Sequence, residues 1–243
     1  MRRILASYAT GAETIRAAAV GLQFLASYLG AGGSLRVLDG DDGGFDDLDA
    51  SLLYEYWSVR CFVQDYETDT SAWKYPRVNM DVVARCWMQA AALGTQSVLD
   101  WLSERVRRID STGEEHGISG KDMNPLCTLM AHFVTGRDPE ALARSGWAPI
   151  TAYRAVAQRS LRSGDYEALA TYHSKRLHED FSGHPSSVVP FELLAIERLT
   201  GVPIENPKHE WLRTPLVRRR QVPEIPVPPE LAAVIERSRR NDP

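Results

Sequence analysis

Cysteine is scarce in this sequence, positive charge is not in excess, and no long uninterrupted apolar run occurs. Each shortage removes a class of protein. Three widely spaced cysteines in 243 residues, Cys61, Cys86 and Cys127, exclude a disulfide-stapled scaffold and predict reduced thiols in a cytoplasmic protein. No charge falls between Arg16 and Arg36, but Gln23, Ser27, Tyr28 and four glycines make that stretch too polar for a membrane span. A formal net charge of −4 speaks against the broad cationic surface of a nucleic-acid binder. The G-x-S-x-G elbow, the Walker loop and the H-E-x-x-H pair are all missing from the sequence. Gly30-Ala31-Gly32-Gly33 has neither the preceding strand nor the spacing of a dinucleotide fingerprint. The expectation is a protein that is not an enzyme and carries no cofactor or metal, with no nucleic-acid or membrane partner.

What is present reads as helix. A composition 44% hydrophobic and 25% charged suits a globular chain of this length, and no alternating run supports a sheet, so the fold class is all-α. Thr10-x-x-Glu13 has the spacing of a capping box, predicting a helix to about Tyr28 that ends in the glycines 30, 32 and 33. A loop follows over 31–48, with a short extended piece at 35–38. Asp49 or Ser51 then caps a second helix that runs through Asp65. Asn79 opens a third, whose Met80, Val83, Ala84, Trp87, Met88 and Ala91 share one face. Val82 and Cys86 widen that face, which makes the helix central. Gly94 closes it, and Thr95 and Ser97 start a fourth helix that ends near Arg108.

Beyond a polar loop at 109–123, proline at the start and glycine past the end mark further helices: Pro125 to Gly136, Pro139 to Gly146 and Pro149 to Gly164. Asp165 caps another, and residues 189–200 form one stopped by Gly201. The stretch 203–229 holds seven prolines and predicts an extended tail, with a last short helix over 230–239. The expected total is nine to ten helices in antiparallel hairpins. The expected regions are 1–110, 111–202 and 203–243, packed as one compact unit.

The small net charge conceals a segregation. Residues 39–81 hold eleven acids against three bases, and residues 211–243 hold seven arginines against four acids. Six aspartates fall within 39–49. A calcium loop that starts at Asp39 would need glutamate at its twelfth position, which is Ala50, so the strongest ligand is missing. Concentrated like charge beside aromatics instead predicts a surface for a cationic protein partner. The candidate residues are Asp41, Asp42, Asp46, Asp47 and Asp49, with Tyr54 and Trp57.

Other constellations read as structural. His173 and His178 lie five apart, about 140° around a helix, and do not converge on a metal with His184. Glu192 in its apolar helix calls for an ion pair, since an isolated buried charge is costly. Arg218-Arg219-Arg220 and Arg237, Arg239 and Arg240 are two basic clusters suited to solubility and to pairing with acidic surface.

The run 147–161 opened by Trp147, the segment Ser163-Gly164-Asp165-Tyr166-Glu167-Ala168-Leu169, and Val189-Pro190-Phe191-Glu192-Leu193-Leu194-Ala195-Ile196 together resemble bacterial immunity proteins. The pattern is nearest to the PoNe-type toxin immunity proteins and spans about residues 80–200. It departs from them at Val188-Val189-Pro190, where that family carries a Gly-Tyr-Trp type sequence. The resemblance implies an all-α cytoplasmic protein that binds and blocks a cognate toxin, often a nuclease delivered by type VI secretion, without turnover. Two other readings are a helical scaffold or adaptor and a metal-dependent enzyme built on the histidine cluster.

Overall fold

The computed structural model describes residues 14–68, 80–111, 191–201 and 229–240, together with residues 3, 7, 10, 11, 130, 133–136, 163 and 227. Nearly all of these are helical, and no strand occurs among them, so the all-α class holds. The helices are α1 (Ile15–Leu38), α2 (Gly43–Thr68), α3 (Met80–Leu93), α4 (Gln96–Ser111), α5 (Phe191–Thr200) and α6 (Pro229–Arg240). The expected total of nine to ten, the histidine cluster, Glu192 and the run 138–162 fall outside the described side chains. Helices α1, α2 and α6 belong to one compact unit, and α3, α4 and α5 to another.

The cap of α1 lies four residues past the expected one. Thr10 is itself helical, and its hydroxyl donates to the Ser7 carbonyl at 3.0 Å. Gly11 breaks that turn with φ +90, and Thr14 becomes the cap. The Thr14 hydroxyl accepts from the Ala17 amide at 3.2 Å, and its carbonyl accepts from the Ala18 amide.

Nor does α1 stop at its glycines, as the sequence suggests. It runs through Gly30, Gly32 and Gly33 and ends at Gly40, where φ is +80. There the Asp41 amide donates to the Arg36 carbonyl and the Gly40 amide to the Val37 carbonyl, the paired bonds of a Schellman ending. The expected loop over 31–48 and its extended piece therefore reduce to the turn 39–42, and α2 begins at Gly43 rather than near Asp49.

Close packing against α2 explains why Gly30 and Gly33 are tolerated. The Ser58 hydroxyl donates to the Ala19 carbonyl and the Ser51 hydroxyl to the Ala26 carbonyl, both at 2.7 Å. A Cβ on Gly33 would lie 2.7 Å from the Gly44 carbonyl oxygen, and the reverse distance is the same. Ala19, Ala26 and Gly33 are seven apart, as are Ser58, Ser51 and Gly44 in the opposite direction. A seven-residue repeat holds small residues on one seam along an antiparallel helix pair. Glycine in a helix costs about 1 kcal/mol relative to alanine. Each buried interhelical hydrogen bond returns a similar amount.

Leu22, Ala18 and Ala19 of α1 pack with Tyr54, Trp57 and Cys61 of α2 and with Leu231 and Val234 of α6. The last helix is thus part of this core, and it begins within a residue of its expected start. The Tyr54 hydroxyl anchors it by donating to Glu230 Oε1 at 3.0 Å.

In the other unit α3 is central, as its widened apolar face predicts. From Val82 to Leu93 every residue but Arg85 is buried. Gly94 ends α3 at φ +80, and the Thr95 carbonyl opens α4 by accepting from the Leu99 amide. The buried Trp87 indole donates to Ser103 Oγ at 2.9 Å and stacks on Phe133. Leu194, Ala195 and Ile196 bury the inner side of α5, which packs on α3. Gly201 closes α5 with φ +69, as expected, and Gly136 at φ +71 follows the helical residues 133–135.

Candidate interaction surface

The acidic segment becomes a tight turn and the first two turns of a helix, and this geometry divides its carboxylates by role. Helix α2 starts at the fifth residue of the twelve-residue calcium loop considered above, so no such loop forms. Among the described residues no cluster of three or more His, Cys, Asp or Glu is arranged to hold a metal.

Arg36, in the last turn of α1, organises the site. Its Nε donates to Asp41 Oδ2 at 2.8 Å and its Nη1 to Asp47 Oδ2 at 2.6 Å. The second oxygen of Asp41 accepts from the Gly43 amide at 2.9 Å, satisfying a donor at the open end of α2. The bond from Arg36, reinforced by that amide, holds the Asp41 carboxyl below its ordinary pKa. Asp41 and then Asp47 raise that of Arg36. One cation thus ties the end of α1 to the start of α2 across the turn.

Asp39, Asp42 and Asp46 remain exposed, with no ion pair among the described residues. Asp46 also sits in the first turn of α2, where the helix dipole favours a negative charge. Asp49 is elsewhere: it is 4% exposed and engaged within the fold.

The two aromatic candidates face the core as well. Tyr54 is 4% and Trp57 8% exposed. Arg60 lies over the Trp57 ring at 4.6 Å, and Tyr56 meets the same ring edge-on. The structure therefore brings Asp41, Asp42, Asp46 and Asp47 together at one end of the α1–α2 hairpin. It places Asp49, Tyr54 and Trp57 inside.

Two features escaped the sequence reading. One is Arg36, whose partners lie five and eleven residues away, a spacing that carries no local signal. The other is the outer side of α1, where Val20, Phe24, Tyr28 and Leu35 are exposed. Their four- and seven-residue spacing is visible in the sequence, but the glycines beside them concealed the length of the helix. Among the described residues no helix is long and apolar enough to cross a membrane.

No family model, curated protein or solved structure matches this chain.

Proposed function

We propose that this chain is an immunity protein of bacterial competition: a stoichiometric binder that neutralises a cognate secreted toxin in the cytoplasm by covering its active site or substrate path. The observation that supports this most is the acidic end of the α1–α2 hairpin. Asp39, Asp42 and Asp46 project from a turn that Arg36, Asp41 and Asp47 already lock, so a partner meets ordered charge. Ordering a loop on binding costs affinity, and a turn held in advance avoids that cost. Concentrated negative charge selects a cationic surface, such as a nuclease presents to phosphates, and speeds its approach. Asp49, Tyr54 and Trp57 serve the same surface from within by fixing α2 beneath it. The toxin class comes from the resemblance to immunity proteins.

The test is co-expression with the toxin encoded beside this gene, with growth and complex formation as readouts. The chain restores growth and co-elutes with the toxin at one to one. The triple variant Asp39→Asn/Asp42→Asn/Asp46→Asn, altering exposed residues only, binds roughly tenfold more weakly and loses most of the salt dependence. Continued killing with no complex would overturn the immunity reading. Unchanged affinity in the triple variant would remove the acidic turn from the interface.

A further inference from the structure

The outer side of α1 is anomalous for a surface helix. Such helices turn their charged residues outward, yet α1 carries none between Arg16 and Arg36. At about 100° per residue, Val20, Phe24, Tyr28 and Leu35 fall within an arc of about 80°, opposite the seam of Ala19, Ala26 and Gly33. Phe24 is 60% and Tyr28 79% exposed.

We propose that this face is a homotypic interface, on which the α1 helices of two copies of this chain pair antiparallel about a two-fold axis. The inference does not rest on the toxin reading, although it draws on Asp39 and Asp42, which that reading also uses.

Area, charge and symmetry all favour a second copy. An aromatic side chain offers about 150–250 Å², so the four exposed residues present on the order of 400 Å² of apolar surface. That is the scale of a functional patch. It is also about half of the roughly 800 Å² per partner in a standard interface, with flanking Gln23, Ser27 and Ala31 available for the rest.

The charges bracket the face with opposite sign. Arg16 stands at one end, and the exposed Asp39 and Asp42 stand at the other. Antiparallel pairing sets each copy's Arg16 beside the other's acidic turn and buries no charge between them. A parallel arrangement would oppose like charges. A two-fold interface also requires each patch to complement itself, as an uncharged stripe with opposite ends does. Matching those ends places the axis close to Tyr28.

Analytical ultracentrifugation of the full chain from 1 to about 100 µM tests this. The wild type sediments as a dimer of twice 27.1 kDa. Phe24→Glu/Tyr28→Glu raises the dissociation constant roughly thirty-fold or more, with helical circular dichroism unchanged because both side chains are exposed. A second measurement uses cross-linking in a Cys127→Ser background, where Cys61 and Cys86 are buried. Under mild oxidation Ser27→Cys, next to the axis, forms an intermolecular disulfide. Val20→Cys, about 24 Å from its counterpart, does not.

A monomeric wild type overturns the proposal, as does a dimer that persists in the double glutamate variant. A monomer whose toxin binding is lost in that variant also overturns it and assigns the face to the toxin.

Discussion

Adjacent glycines in α1 should respond to the same substitution with opposite signs. Gly32 and Gly33 are both helical, so in either case alanine gains the same backbone entropy in the unfolded chain, about 0.5–1 kcal/mol of stability. Their surroundings differ completely. A Cβ on Gly32 meets nothing within 4 Å. On Gly33 it would lie 2.7 Å from the Gly44 carbonyl oxygen, 2.9 Å from Asp47 Cβ and 3.0 Å from the Leu48 amide nitrogen. Two of those atoms are backbone, so α2 itself has to retreat by several tenths of an ångström.

The retreat stretches the Ser51 bond to Ala26 one repeat away, so the strain is not confined to one contact. Overpacking of this kind costs about 1–3 kcal/mol, more than the helix-propensity gain. Gly32→Ala therefore stabilises by about 0.5–1 kcal/mol, and Gly33→Ala destabilises by about 1–2 kcal/mol. At roughly 2–4 °C per kcal/mol for a chain of this size, thermal melts followed at 222 nm rise by a few degrees for the first and fall by several for the second. Equal upward shifts would refute the reasoning, because the two helices could not then be in backbone contact at Gly33.

Three further outcomes follow from the same structure. Asp41 titrates below 3.8, its ordinary value, and Arg36→Met moves it back towards that value. Because the folded-state pKa is the lower one, the stability it contributes is present above 3.8 and is lost as pH falls through the folded value. Carboxyl-detected NMR checks both, and a wild-type midpoint at or above 3.8 would contradict the Arg36 clamp. Trp87→Phe removes the indole donor to Ser103 and leaves a buried hydroxyl, costing about 1–3 kcal/mol in urea denaturation. Leu231→Ala costs about 2–5 kcal/mol, since that side chain is fully buried against α1 and α2. A loss under 1 kcal/mol would mean that α6 is not part of that core.

The helical class was legible wherever local chemistry decides it. The apolar spacing of α3, the stop at Gly94, the stop at Gly201 and the terminal helix after the prolines are all set by residues within a turn or two of where they act. The candidate surface was legible only in part. The sequence shows that six aspartates crowd into 39–49, but not that Arg36 claims two of them. Nor does it show that Asp49, Tyr54 and Trp57 turn inward. An aspartate is assigned to surface or interior by what stands across from it, and for Asp47 that is Arg36 on the preceding helix.

The first hairpin separates the two kinds of information most sharply. By itself the sequence determined that residues 17–35 carry no charge, that a helix opens this stretch, and that an acidic, glycine-rich segment follows. Which glycine ends the helix was decided by tertiary structure. Gly30 and Gly33 look like stops, but α2 approaches so closely that a side chain at either would collide, and Gly40 alone of those beyond Gly11 takes positive φ before α2. Local propensity for a glycine break amounts to about 1 kcal/mol per residue. Burial of a whole helix face, together with hydrogen bonds from Ser51 and Ser58, exceeds it, and those partners lie twenty-five and thirty-nine residues away.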